Sequence, residues 1–574
     1  HMAGTIGALG RYEAYTELLQ ILRTSTGRNQ LDDCQRIRLD VNGDRKIDIS
    51  DLIVSLAYVS KAKGMAPEVD FWTYDLVDDS AEMAVAVRDH KIRVSNHSYS
   101  PEIGWEIRFE EIENGYGLIE RLPYWMYLGN RDEFGRYTTK AREWDRITRD
   151  TGLLIFKSTG NHRYDGPDMC GLVPTCLDGL WDCIDPMGSA KNVVTVGALT
   201  DDGQIQRASG TGPVDDGRIK PDVVANGYEV YSTGAGNCYY NSMTPTRLFL
   251  NGIRACADPD VQEEFFKTYD RYGSSNACAA ATGVGALMAQ IYEHTNRGVK
   301  AAPETIKACV IHGAWHRDGI KSPDYARGFG EIDAEKTAGI LLKRGYLLGT
   351  SRSGLPDMRI PIVTAPGATD LKVTTVWTDP PGDTLAKFSL VNDIDTELIS
   401  PSGKKYYPWA LDRFDPNKAA TNSANNKVDN VEQIYVPADK MEAGQWVVVV
   451  KPAKITTLSQ DFTMIVEGVQ PIRVTKTFRI YNDAYPSTIP GVPDPNLIIT
   501  AIRPETNHRW LKVTIGGKTM EELGTVSIPP QSFVEVVVEV DFAFSPEGQT
   551  ALLTVESNDT SKEAPKVFII TRLL

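Results

Sequence analysis

Hydrophobic and polar positions follow two different rhythms along the chain, and the first rhythm alternates helices with strands. The pattern of 81–90, "AEMAVAVRDH", predicts a helix, and 91–100, "KIRVSNHSYS", predicts a buried strand entering a loop. Residues 142–161 predict a helix followed by a strand, and 190–199 and 220–227 predict short strands. This alternation predicts an α/β fold with a mostly parallel sheet and helices on both faces. Such sheets carry their sites beyond the carboxyl ends of the strands.

The second rhythm begins near residue 345, where short alternating strands separated by turn residues replace the helical patterns. It predicts two all-β sandwich domains after the α/β domain. We place the domains at 1–344, 345–470 and 471–574. Two stretches of the first domain, 10–62 and 241–270, are polar and interrupt its pattern, so we interpret them as insertions.

Composition and charge exclude some partners. The 574 residues are 41% hydrophobic and 24% charged, with a net charge of −15. An acidic balance of this size argues against a nucleic-acid or anionic-membrane surface, because both require basic patches. No apolar run approaches the roughly 20 residues of a membrane span. The first ten residues lack the basic and apolar regions of a secretory signal, so any signal would precede them.

The eight cysteines give mixed evidence. Cys170, Cys176 and Cys183 lie close together in a loop-like stretch, and the other five are scattered. Disulfides are plausible if the protein is exported, although their pairing does not follow from the sequence. A zinc site is the weaker interpretation, because neither a CxxC pair nor a histidine accompanies the cluster.

Two stretches carry residues suited to nucleophilic chemistry. In 271–290, "RYGSSNACAAATGVGALMAQ", a Gly-Ser-Ser turn runs into a helix of small residues. A serine there lies beside exposed N–H groups and the positive end of the helix dipole, although it could be an ordinary N-cap. In 152–163 a hydrophobic strand ends in Gly160-Asn161. An amide at that position could donate to an oxyanion, or the pair could simply form a turn.

The order of these stretches resembles the subtilisin-like serine proteases (subtilases). "GSSNACAAATG" is similar to the family's serine motif, "STGNHR" to its oxyanion motif and "VSNHSYS" to its substrate-edge strand. The resemblance implies that Ser275 is the nucleophile and Asn161 the oxyanion donor. It also implies that Ser98–Ser100 and Gly160 line a bound peptide, with Tyr99 in the middle of the edge segment. The matching segments run in the family's order over residues 1–340.

Two departures from the family pattern motivate an alternative. The family's Thr before the nucleophile is Ser274 here, and the family's Pro at the start of the serine helix is Ala279. With the large insertions, these departures leave open an inactive subtilase-fold protein that serves as a binding or scaffold module. The residues encoded upstream of the chain would distinguish the two functions.

The opening "HMAGT" resembles the second half of the family's histidine motif. The resemblance implies that His1 is the motif's second, non-catalytic histidine and that the general base and triad aspartate lie upstream. His1-Met2 could instead be a cloning remnant. A serine without its base is a poor nucleophile, so we expect this chain alone to hydrolyse no peptide.

The first insertion contains a calcium-type spacing of oxygen ligands. These residues are Asp40, Asn42, Asp44, Asp48 and Asp51, together with the carbonyl of Lys46. The spacing resembles one dockerin repeat, although Arg45 stands where a Gly is expected; the alternative is an acidic turn before a helix. Because only one repeat is evident, we interpret it as a Ca²⁺-stabilised structural clip, and cohesin binding is not expected.

The β domains resemble modules of exported bacterial proteins. Residues 345–470 resemble the P-domain-like jelly roll of subtilases, in which Asp393, Asp395 and Asp429 are either Ca²⁺ ligands or ordinary loop acids. Residues 471–574 resemble an immunoglobulin-like spacer. Together these resemblances imply a secreted or cell-surface bacterial serine endopeptidase that acts on protein or peptide substrates.

Overall fold

A computed structural model gives the fold. It describes residues 6, 64–74, 78–101, 103–113, 119–163, 181–230, 273–354, 356–364, 369–468, 473–484, 486–488, 493–504, 511–541, 550–559 and 566–570. The proposed calcium ligands of 40–51 and the second insertion, 241–270, lie outside these residues.

The first domain is built on a parallel sheet, as the sequence pattern predicts. Its strands, in spatial order, are β1 (Val94–His97), β4 (Leu154–Ser158), β5 (Val194–Leu199) and β6 (Val223–Asn226). All three pairings are parallel. The strands β4 and β5 are buried along their whole length, which explains why most of their residues are apolar.

Helices cover the sheet. They are α1 (Asp79–His90), α2 (Thr139–Thr151), α3 (Ser274–Thr295), α4 (Pro303–Gly313) and α5 (Ala334–Leu342). The small residues of α3 let it lie close to the sheet: a Cβ added at Gly285 would come within 2.5 Å of the Phe156 ring. The α/β fold class is therefore confirmed, and α3 begins at the serines singled out in the sequence.

A two-stranded hairpin, which is not among the elements predicted above, separates β1 from α2. Its strands are β2 (Gly104–Glu113) and β3 (Ile119–Leu128), paired antiparallel. Within the described ranges the hairpin forms a sheet of its own. We call β2 and β3 together the cleft hairpin, because β2 begins four residues after Ser100.

Two antiparallel sheets follow the first domain and enclose a common apolar core. One contains β11 (Lys405–Tyr406), β10 (Asp393–Ile399), β13 (Gly444–Lys454) and β8 (Met358–Thr364). The other contains β12 (Val431–Val436), β9 (Leu371–Trp377), β14 (Gln460–Glu467) and β7 (Tyr346–Ser351). Alternating inward side chains such as Trp377 and Trp446 fill the space between them.

Two further antiparallel sheets form the last block. One contains β15 (Arg473–Asn482), β19 (Ser532–Asp541) and β17 (Leu511–Ile515). The other contains β18 (Val526–Ile528), β16 (Leu497–Pro504), β20 (Thr550–Ser557) and β21 (Lys566–Ile570), and a short helix, α6 (Met520–Leu523), follows β17. Both contribute to a smaller apolar cluster around Ile499 and Val536.

The first sandwich packs directly on the α/β domain. Val376, Val431 and Ile465 of the sandwich belong to the same apolar cluster as the sheet and α3. A buried polar junction lies beside this contact. Lys191 Nζ donates to Asp379 Oδ2 at 2.5 Å and to the Pro380 carbonyl at 2.6 Å, and neither charged side chain is exposed. A buried charge is costly unless it is paired in this way.

We predict that Lys191→Met destabilises the protein. It would leave the Asp379 carboxylate buried without its cation, which typically costs about 3–5 kcal/mol. Urea unfolding followed by tryptophan fluorescence would measure the change. Lys418→Met is the matched control, because Lys418 pairs with Asp412 at the surface, where ion pairs contribute little. Equal unfolding midpoints for the two variants would contradict the role of the junction.

Candidate active site

The candidate site forms where the N-terminus of α3 meets the loop after β4. Gly273 precedes the helix, and its N–H donates to the Gly227 carbonyl at 2.9 Å. A Cβ added at Gly273 would lie 2.9 Å from both Nδ2 and Oδ1 of Asn161. Only a glycine therefore lets the Asn161 amide lie directly against the start of the helix.

Asn161 is held by its oxygen. Oδ1 accepts a hydrogen bond from the Ser274 N–H at 2.8 Å and from Ser274 Oγ at 3.1 Å. Because a backbone N–H can only donate, the amide oxygen must face Ser274. Its Nδ2 group then makes no hydrogen bond with any described residue, and the side chain is only half-buried. The amide is therefore oriented with its donor available.

Ser275 is the second residue of α3 and is half-buried. Its Oγ donates to the Ser98 carbonyl at 3.2 Å, and Ser98 Oγ donates to the Ser275 carbonyl at 2.9 Å. The structure thus brings Ser275 and Ser98 together. As one of the first residues of the helix, Ser275 also has an N–H without an intrahelical acceptor. No histidine or carboxylate among the described residues hydrogen-bonds its hydroxyl.

Ser274 also fixes the carbonyl of Gly160, because its single hydroxyl proton is shared between this oxygen, at 2.9 Å, and Asn161 Oδ1, at 3.1 Å. Gly160 has a φ of +92°, and a Cβ there would lie 2.1 Å from Asp185 Oδ1. Both the backbone conformation and the close approach therefore require glycine.

A buried ion pair lies beneath the two segments proposed to contact substrate. Lys157 Nζ donates to Asp185 Oδ2 at 3.0 Å, and neither side chain is exposed. Ser100 Oγ donates to the same carboxylate oxygen. The Asp185 carboxylate thus joins the edge segment to the Gly160 loop. Sequence reasoning missed this pair, because an isolated aspartate before a proline carries no motif.

Tyr99 is directed toward α1 and away from Ser275. Its hydroxyl donates to Asp79 Oδ2 at 2.8 Å and lies 2.7 Å from His97 Nδ1. Because the Tyr99 hydroxyl donates its proton to Asp79, its oxygen accepts a hydrogen bond from the protonated Nδ1 of His97. His97 Nε2 then accepts a hydrogen bond from Ser95 Oγ at 3.0 Å. Burial lowers the pKa of His97 to about 3, which keeps the imidazole neutral. Tyr99 is therefore anchored by Asp79 and by a neutral His97, while Ser100 is anchored by Asp185.

The acidic residues of the first sandwich separate into two places. Asp429 accepts hydrogen bonds from the Ile219 N–H at 2.8 Å and from Asn426 at 2.9 Å, so it belongs to the junction with the α/β domain. Asp393 and Asp395 lie on β10, and burial together with Asp395 raises the pKa of Asp393 to about 6. In the described ranges no three His, Cys, Asp or Glu side chains are placed to hold a metal ion.

Two further observations concern sulfur and membranes. Cys183 is disulfide-bonded, and Cys278 is a buried thiol in α3 whose pKa burial raises to about 11. Among the described helices, none has the length and apolar character to cross a bilayer.

Comparison with known proteins identifies the family. Residues 1–334, more than half of the chain, match the sequence profile of the subtilase family. The chain belongs to the subtilase family. The resemblance seen in the serine and oxyanion motifs is therefore confirmed, and a serine-type peptidase is the activity that the family implies.

Individual relatives are distant. The subtilase is 27% identical over 221 residues to the "Serine protease/ABC transporter B family protein tagA" of Dictyostelium discoideum. That match covers 33% of this chain and only 11% of the relative's length.

Solved structures with some likeness are also proteases. Fervidolysin from Fervidobacterium pennivorans is 16% identical, with 85% of this chain and 57% of that chain covered and a TM-score of 0.27. The prenylagaramide maturation protease PagA is 16% identical, with 49% and 76% covered and a TM-score of 0.29.

We predict that Gly273→Ala inactivates the full-length subtilase without unfolding it. The new methyl group would push aside the Asn161 amide, which is the free end of a side chain and can move cheaply. We expect kcat to fall by about 10²-fold, the usual effect of losing an oxyanion donor. Steady-state kinetics on a chromogenic tetrapeptide would measure it.

Gly339→Ala in α5 is the matched control, because a Cβ at Gly339 meets nothing within 4 Å. It should leave kcat unchanged and should not lower the unfolding midpoint, because Ala is more favourable than Gly inside a helix. If Gly273→Ala keeps its kcat, the close approach of Asn161 is not needed for the reaction.

Proposed function

We propose that this subtilase is an endopeptidase in which Ser275 attacks the scissile peptide carbonyl. The observation that supports this most directly is the arrangement at the start of α3. There the Ser275 hydroxyl, the Ser275 N–H and an oriented Asn161 amide donor occur together, and the Asn161 oxygen is already used by Ser274. Donors fixed before the reaction stabilise a developing oxyanion without reorganisation.

The reaction has two halves. In the first, a bond forms between Ser275 Oγ and the carbonyl carbon, the hydroxyl proton passes to a general base, and the tetrahedral oxyanion lies against Asn161 Nδ2 and the Ser275 N–H. Collapse breaks the C–N bond, and the base returns the proton to the leaving amine. In the second half, water releases the acyl group in the same way.

Substrate would bind as an added strand. The Ser98–Ser100 segment leaves β1 next to Ser275, with Ser98 joined to Ser275 by two hydrogen bonds. An extended peptide pairing with this segment through its backbone would present a carbonyl to the Ser275 hydroxyl. The buried network of Lys157, Asp185 and Ser100 would hold the segment in place.

We predict that a fluorophosphonate probe labels the full-length protein at Ser275. Ser275→Ala should abolish labelling and lower kcat on a peptide substrate by at least about 10³-fold, because the nucleophile is lost. Gel fluorescence with mass spectrometry of the labelled peptide would report the site. Equal labelling of the two proteins would rule out Ser275 as the nucleophile.

A second prediction tests the Asn161 donor. Asn161→Asp keeps an oxygen for the Ser274 N–H but removes the Nδ2 donor, so position is retained and donation is lost. We expect kcat to fall by about 10²–10³-fold with little change in KM. An unchanged kcat would show that the oxyanion donor lies elsewhere.

Export and calcium are further parts of the proposal. The disulfide at Cys183 favours an oxidising compartment, in line with a secreted or surface protein; peptide mapping before and after reduction would test it.

The ligand spacing of 40–51 supports a Ca²⁺-stabilised insertion. We expect Asp44→Ala to reduce the rise in Tm caused by Ca²⁺, with exposed Asp415→Ala as control; equal rises would contradict the site.

A further inference from the structure

We propose that the cleft hairpin, residues 104–113 and 119–128, is an exosite that binds an extended, lysine- or arginine-bearing stretch of a polypeptide substrate outside the scissile bond. This inference rests on the proposed peptidase function and adds a substrate class to it. The occupant is identified by the position, the edges and the charge of the hairpin.

The position of the hairpin links it to the candidate cleft. Its first strand, β2, starts four residues after Ser100, so the chain passes directly from the proposed substrate-edge segment into the hairpin. The root of the hairpin also reaches the oxyanion loop: a Cβ at Gly104 would come within 3.1 Å of the His162 ring, the neighbour of Asn161. A peptide that leaves the cleft along its edge strand therefore meets the hairpin.

Among the described strands, none occupies the outer edges of the hairpin. It pairs with no other strand in the described part of the chain, and an unpaired strand edge is a ready template for an added strand. Pro123 lacks an N–H and interrupts the outer edge of β3. The continuous edge is that of β2, whose ten residues extend for about 33 Å at 3.3 Å per residue.

The charge of the hairpin selects a cationic partner. Residues 104–128 contain five glutamates and two arginines, a net charge of −3. Four of the glutamates and one of the arginines are in β2. All of the excess negative charge therefore lies on β2, the strand with the continuous edge. Complementary charge steers association and fixes register.

Apolar contact is available as well. Tyr124 and Met126 are two residues apart on β3 and therefore on one face, and they are 45% and 42% exposed. A two-stranded hairpin alone in water is marginally stable. Contact of these side chains with a bound chain would stabilise both partners.

The experiment measures binding separately from cleavage. A fluorescein-labelled 30-residue lysine-rich peptide is titrated with full-length Ser275→Ala protein, and anisotropy gives Kd. The hairpin variants are Tyr124→Ser/Met126→Ser and Glu106→Gln/Glu110→Gln. We expect each to weaken binding about 5- to 10-fold. Phe414→Ser/Leu458→Ser, which changes two exposed apolar residues of the sandwich, is the matched control and should leave Kd unchanged.

Kinetics on the otherwise wild-type enzyme gives the second readout. The hairpin variants should lower kcat/KM for the 30-residue peptide by the same factor and leave kcat/KM for a tetrapeptide unchanged. If the tetrapeptide is not cleaved at all, the proposed function fails while the anisotropy result still decides the exosite.

Three outcomes would overturn the exosite. One is equal Kd values for hairpin and control variants. Another is that the hairpin variants lose affinity for a glutamate-rich peptide of the same length by the same factor as for the lysine-rich peptide. That result would show that the hairpin does not select cationic substrates. The third is a change of oligomeric state in the hairpin variants with Kd unaltered, which would make the hairpin a contact between copies of the chain.

Discussion

The candidate site depends on the close approach of the Asn161 amide to Gly273. Without a side chain at Gly273, the loop after β4 can lie against the first turn of α3, and the Asn161 oxygen can accept the Ser274 N–H. That single hydrogen bond decides which end of the amide remains free. It also satisfies one of the N–H groups that a helix start leaves without a partner. The same contact therefore caps the N-terminus of α3 and orients the Asn161 amide donor beside Ser275.

Buried charge supports this arrangement from below. The sheet core is apolar, yet Lys157 and Asp185 lie within it as a pair and join the two segments proposed to contact substrate. Lys191 and Asp379 make a similar pair where the first sandwich meets the α/β domain. Pairs of this kind contribute more to a defined geometry than to net stability, because desolvation offsets most of their attraction. Each pair lies where two separate parts of the chain pack together: the edge segment with the Gly160 loop, and the first sandwich with the α/β domain.

Much of the fold and of the site could be predicted from the sequence, because the decisive signals are local. The small residues of α3 indicate a helix packed closely on a sheet, and Gly160-Asn161 follows a hydrophobic strand. The order of these stretches then indicates the family. The Lys157–Asp185 pair could not be predicted, since its members are 28 residues apart and meet only through tertiary structure. The same holds for Asp429, whose partner Ile219 is 210 residues away.

The cleft hairpin is a different case, because a signal was present. Trp105, Ile107 and Phe109 alternate with polar residues, and Asn114-Gly115 is a strong turn signal between two such runs. The hairpin interrupts the succession from edge strand to helix that the α/β pattern predicts, so the pattern of the whole domain does not indicate it. The hairpin places a strand with a net charge of −3 in the chain four residues after Ser100, next to the candidate site.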